Sequence, residues 1–138
     1  MSTITRVATR SPYEAMGCYS RAVAVGDWIF VSNTAGRHPE TGEIPEDVRE
    51  QTVQVFANIQ RALRAVGAGL ADVLVARIFV QEPKDVPVVM GVVGETFRGI
   101  RPAATVTCPP LGGTIYKVEI EVTALRGASA MTVETVTV

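Results

Sequence analysis

Residues 114–125 read T-I-Y-K-V-E-I-E-V-T-A-L, with apolar side chains at Tyr116, Val118, Ile120 and Val122 and polar ones at Lys117, Glu119, Glu121 and Thr123. Successive side chains of a strand point to opposite faces of its sheet, so this run fits only a sheet with one face on a core and the other polar. A chain built around it has to cover one sheet face, not two. The covering layer is predicted over residues 47–66, where Val48, Thr52, Val55, Phe56, Ile59, Leu63 and Val66 recur at three- and four-residue spacing. Glu46 and Asp47 suit the positive end of that helix, Arg61 and Arg64 its negative end, and Gly67 is placed to end it.

The other segments complete the layer. Residues 4–8 open a short strand, and 21–25 and 28–32 flank Gly26-Asp27, a two-residue hairpin turn. Ser11-Pro12-Tyr13-Glu14 reads as a loop, as does 33–44 with its His38-Pro39 and Thr41-Gly42 turns. Residues 73–80 (V-L-V-A-R-I-F-V) are β-branched and nearly all apolar, a buried strand. Val88, Val89, Val92, Val93 and Phe97 share a helical face over about 86–97, although Gly91 and Gly94 weaken the helix. The order β-β-β-α-β-α-β-β predicts an α+β fold, a single sheet with two helices packed on one face. Residues 1–126 form one domain, and 127–138 a C-terminal tail whose alternating end leaves edge pairing and an unstructured terminus both open.

Composition narrows the function classes. The chain of 138 residues fits one domain. Its 13 basic and 14 acidic residues leave a net charge of −1 with no basic cluster, which argues against nucleic acid as a partner. Cys18 and Cys108, with His38 as the lone histidine, do not make the three or four ligands of a metal site. Two reduced thiols in a reducing compartment is the plain reading. No apolar run approaches the ~18 residues of a membrane span, and no targeting segment is visible, so a cytoplasmic protein without membrane partners is expected.

Several stretches resemble one family in order and spacing. Gly17-Cys18-Tyr19-Ser20-Arg21-Ala22-Val23 resembles G-P-Y-S-x-A-V, and Trp28-Ile29-Phe30-Val31-Ser32-Asn33-Thr34 resembles v-F-V-S-G-Q. Pro39-Glu40-Thr41-Gly42-Glu43 resembles D-P-x-T-G-E, Arg101-Pro102-Ala103-Ala104 resembles R-P-A-R, and Val118-Glu119-Ile120-Glu121 resembles V-E-I-E. Together, over roughly residues 14 to 126, they are similar to the RidA/YjgF family of reactive-intermediate deaminases, once labelled L-PSP ribonucleases. The resemblance implies a chorismate-mutase-like fold, a homotrimer with ligand pockets between subunits, a small-molecule substrate and no cofactor.

In that family an arginine of P-A-R-S grips a substrate carboxylate, and a glutamate positions the water that attacks an imine carbon. The resemblance assigns the glutamate to Glu119; from its residue type alone, a solvated strand carboxylate is the simpler reading. It places Tyr19 along the pocket, where a merely packed aromatic is equally expected. Ala104 stands at the arginine position, Asn33 replaces the glycine of S-G-Q, and Met90 stands near a frequent asparagine of the second helix. Arg21 and Arg101 are candidates to replace the arginine, with surface solvation the simpler expectation for each. Two functions follow: an imine or enamine hydrolase whose substrate range is altered at Ala104, and a non-catalytic trimer that binds a metabolite. An RNA-cleaving protein lacks both a basic surface and a histidine pair.

Overall fold

The computed structural model describes residues 2–138. Strands β1 (Ile4–Val7), β2 (Ala22–Val25), β3 (Trp28–Ala35), β4 (Val73–Val80), β5 (Ala103–Thr107) and β6 (Val118–Leu125) form one sheet in the order β1-β2-β3-β6-β4-β5. All neighbours are antiparallel except β4 and β5. A parallel pair needs a crossover that returns the chain to the starting end of the sheet. Helix α3 (Val86–Thr96) supplies it, while α2 (Val48–Arg64) carries the chain from β3 to β4.

Both long helices cover one face. Ile29, Val31, Ile78, Val118, Ile120 and Val122 from the sheet are buried with Val55, Ile59, Leu63, Val89 and Val93 from the helices. Phe56 of α2 meets Phe97, just past α3, edge to face at 5.3 Å between ring centroids, which locks the helix pair together. Asp47 caps α2, its carboxylate accepting from the Glu50 N–H at 2.9 Å. The predicted alternation over β6 is present: Val118, Ile120, Val122 and Ala124 are buried, and the residues between them are half-exposed.

Three local features differ from the sequence expectation. The segment from Ser11, expected as a loop, opens a short helix α1 (Pro12–Gly17): Ser11 Oγ accepts from Tyr13 N at 3.3 Å, Pro12 occupies the first turn, and Cys18 ends it at φ 52°. Six residues are too few for a periodic signal. The last strand begins at Val118 rather than Thr114, because 113–116 form a turn closed by Tyr116 N–H donating to Gly113 O at 3.1 Å. Strand β3 runs on to Ala35, past the expected end at residue 32, while β5, an edge strand with mostly exposed side chains, shows no apolar pattern. The tail adds no strand; Ser129 N–H donates to buried Asp72 at 2.9 Å, tying its start to the turn before β4. No helix among the described residues is long and apolar enough to cross a membrane.

Buried Gln51 fixes how the chain enters β6. Its Nε2 donates to Pro45 O and Ile115 O at 2.8 and 3.0 Å, and its Oε1 accepts from Lys117 N at 2.7 Å. Gly36 lies directly over it: a Cβ there would stand 2.5 Å from Gln51 O. Gly36→Ala is therefore expected to lower stability by about 1–3 kcal/mol. Gly91→Ala, in α3 with nothing near the added methyl, should raise it by about 1 kcal/mol. Urea-unfolding midpoints of the two variants check both signs.

Candidate active site

Strands β3 and β6 pair in register from Trp28–Leu125 to Val31–Val122, then slip, and resume at Thr34–Ile120 and Ala35–Glu119. The slip leaves Ser32 and Asn33 in a bulge, a device that re-aims side chains. Asn33 Nδ2 donates to Glu119 Oε2 at 2.6 Å. Asn33 Oδ1 is buried and has no hydrogen-bond partner.

Arg21 braces the bulge from the neighbouring strand. Its backbone N–H donates to Val7 O, and its carbonyl accepts from Ser32 N. From its side chain, Nη1 donates to Asn33 O at 2.9 Å and to Thr34 Oγ1 at 3.1 Å, while Nε pairs with Glu14 Oε2 at 3.3 Å. Nη2 reaches the Tyr19 hydroxyl at 3.4 Å, with the guanidinium 5.6 Å from that ring's centre. Only 13% of the Arg21 side chain is exposed and 6% of Glu14, so the expectation of a solvated surface arginine is corrected. Glu14 is held in turn by Thr9, whose N–H and hydroxyl both donate to its carboxylate. A buried guanidinium is tolerated because a carboxylate and backbone oxygens surround it. The result is one polar chain running Thr9–Glu14–Arg21–Asn33–Glu119. Tyr19, on its rim, is 43% exposed.

Glu119 is half-buried, and burial raises its pKa above the ordinary carboxylate value, with the nearby Arg21 charge opposing the shift in part. A carboxyl whose proton affinity is raised is a better proton acceptor than an ordinary carboxylate. Asn33 suits either form: its amide donates to the carboxylate, and turned over would accept from the acid.

Ala104 and Arg101 do not join this group within one chain. Ala104 pairs with Ala76, whose side chain belongs to the core face, whereas Glu119 pairs with Phe79 on the opposite face. Ala104 lines an open depression with Met90, Phe97 and Arg101 between β5 and α3. Arg101 is exposed and holds a left-handed backbone at φ 54° in the turn leaving α3. Cys18 and Cys108 are exposed free thiols. His38 Nδ1 accepts from the backbone of Glu40 and Thr41, a turn-forming role. Glu14 was not among the expected site residues. It stands seven positions from Arg21 with no periodic relation to it, so only the fold reveals the pair.

The family model described as endoribonuclease L-PSP matches residues 9–126, which span the whole polar chain. The chain belongs to this family, the RidA/YjgF proteins. A 2-iminobutanoate/2-iminopropanoate deaminase of Bos taurus is 32% identical over 133 residues, 92% of this chain and 95% of that protein. A RutC family protein of Pyrococcus abyssi is 36% identical over 98 residues, 70% of this chain and 77% of its own. Among solved structures, a YjgF/YER057c/UK114 family member from Mycobacterium tuberculosis superposes with a TM-score of 0.82 at 32% identity, covering 89% of this chain and 99% of that one. The YjgF gene product of E. coli gives 0.79 at 28% identity, over 88% and 98%. RidA/YjgF proteins thus share this six-stranded sheet with its helices on one side.

The raised pKa of Glu119 has a signed consequence for stability. Its contribution is fully present below the ordinary value of 4.5 and is lost as pH rises through the higher folded-state value. Glu119→Gln cannot ionise, so the variant should gain on the parent as pH rises above 4.5 through the higher folded-state value. A stability difference that stays constant over that range, measured by urea unfolding, would contradict the shift.

Proposed function

We propose that this RidA/YjgF protein hydrolyses an imine or enamine metabolite, with Glu119 handling the proton. The observation that carries this reading is a half-buried carboxyl with an elevated pKa, fixed by Asn33 at a bulge on the open sheet face. Names of its relatives, among them the bovine 2-iminobutanoate/2-iminopropanoate deaminase, support the same chemistry.

Water adds to the imine carbon as Glu119 accepts a proton from it. Glu119 passes that proton to the imine nitrogen, giving a neutral carbinolamine. Glu119 then takes the proton of the carbinolamine hydroxyl and delivers it to the amino group, so ammonia leaves as the C–N bond breaks and the C=O bond forms. The sum is imine plus water giving carbonyl compound plus ammonia. Arg21 acts as a positioning residue: its donors are directed at Asn33, Thr34, Glu14 and Tyr19 and hold the carboxyl's neighbour in place. Ala104 offers no cation, so the substrate is held differently from the way P-A-R-S implies, and its range shifts accordingly.

The proposal includes a homotrimer with the site completed between copies. On the face opposite the helices, Trp28 and Phe30 are 46% and 48% exposed, and Val25 is exposed beside them. An apolar sheet face of that kind favours association. Closed rings are a common solution for identical chains. Such a ring would also let the β5 edge of one copy approach the Glu119 face of the next, which a single chain does not achieve.

With an imine generated in situ, Glu119→Gln should cut ammonia release by about 100-fold or more, while light scattering still gives three chain masses. Undiminished turnover would place proton handling elsewhere. A monomer mass for the parent would remove the shared pocket. Binding without turnover by the parent would favour the metabolite-binding alternative.

A further inference from the structure

Arg37 is the one arginine among the described residues that is half-buried without a carboxylate partner. The ion pairs take up Arg21, Arg49, Arg77 and Arg126, and the remaining arginines other than Arg37 are exposed. Its Nη1 donates to Gly42 O at 2.7 Å and its Nη2 to the Tyr116 hydroxyl at 2.9 Å. Of the five N–H donors of a guanidinium, these bonds leave three without a protein partner. The charge lies 5.7 Å from the centre of the Tyr13 ring and 5.9 Å from that of Tyr116. Ring faces stabilise the cation and set its plane, yet they do not neutralise it. A partly desolvated, uncompensated guanidinium with free donors is a receptor for an anion.

Its position ties it to Glu119. Ala35 is the register partner of Glu119. β3 ends at Ala35, and Gly36 turns its α-carbon toward Gln51 of α2; continued alternation would put Arg37 on the face where Glu119 stands. Two residues of extended chain advance about 7 Å. That span accommodates a carboxylate on Arg37 and the adjacent reacting carbon, with its water, beside Glu119. Helix α1 links the two clusters, since Tyr13 flanks Arg37 while the next residue, Glu14, pairs with Arg21.

We propose that Arg37, oriented by Tyr13 and Tyr116, is the anion subsite of this cleft and takes the carboxylate of a 2-imino acid substrate or its 2-oxo acid product. The inference rests on the reading of Glu119 as the reacting end of the cleft. It assigns the anion-binding role left open by Ala104 to a different strand end, not to Arg21 or Arg101.

The test is calorimetric binding of 2-oxobutanoate to the full chain, beside its uncharged methyl ester, for the parent, Arg37→Leu, Arg37→Lys and Tyr116→Phe, with thermal melting as a fold control. Arg37→Leu should weaken 2-oxobutanoate by about 10- to 100-fold and leave the ester within about twofold. Arg37→Lys should recover part of the loss, and Tyr116→Phe should weaken the acid several-fold. Should Arg37→Leu fail to fold, the lysine and phenylalanine variants carry the comparison. A parent that binds no 2-oxobutanoate, or variants that bind it as tightly as the parent, would overturn the subsite. Ammonia release by the parent and Glu119→Gln on a generated 2-imino acid reports separately on the hydrolase reading. Loss of acid binding in Arg37→Leu with no turnover by the parent would sustain the subsite and remove the deaminase.

Discussion

Where β3 slips against β6 between Val31 and Thr34, two residues of β3, Ser32 and Asn33, stand against the single Glu121 of β6. That irregularity sits in the middle of the sheet, under the packed helices, so the backbone is held on both sides of it. The slip aims the Asn33 amide at Glu119 and its carbonyl at Arg21. Without the bulge, the strict alternation of a strand would not give one residue both contacts. Gly36 and Gln51 anchor the far side of the same bend, because only a residue without a Cβ allows β3 to approach α2 so closely. Packing on one face of the sheet thereby determines chemistry on the other.

Electrostatics divides the arginines into distinct roles. Arg21 is compensated: its charge is matched by Glu14, and four of its five donors are used, two of them on the bulge. Arg37 holds its charge between two rings with donors left over, and burial of the Tyr13–Tyr116 pair around it is incomplete. The Tyr13 hydroxyl pKa is raised chiefly by its hydrogen bond with Tyr116, with the Arg37 charge opposing the shift in part. Glu119, bonded to Asn33 beside Arg21, has its proton affinity lifted by burial. Under the proposed reading, a proton acceptor and an unmatched cation on the same side of the molecule would suit a small anionic substrate.

Much of the fold was legible in the sequence because the longest elements carry their own periodicities. Residues 73–80 lie in β4, the stripe from Val48 to Leu63 in α2, and the alternation ending at Leu125 in β6. Even α3 formed despite Gly91 and Gly94, since Val89, Val92, Val93 and Phe97 are buried on one side of it. The short helix α1 and the edge strand β5 were illegible for physical reasons. One is too brief to repeat, and the other is mostly solvent-facing, with nothing to alternate. Within the site, Glu119 stood out by its place on a polar strand face and by its resemblance to V-E-I-E. The partners of Arg21 did not, because hydrogen bonds from residue 21 to residues 14, 33 and 34 depend on tertiary placement. Ala104 was readable as a missing cation, whereas its place on the sheet face opposite Glu119 required the strand register.

Our proposal puts the reacting centre at the cluster around Glu119 and not in the depression beside Ala104. A crystal structure of the protein soaked with 2-oxobutanoate tests that claim most directly. The account predicts the ketone carbon beside the Glu119 carboxyl, within reach of one bridging water, and the ligand carboxylate on the Arg37 guanidinium. A ligand lodged among Met90, Phe97 and Arg101, with Glu119 left facing solvent, would contradict it.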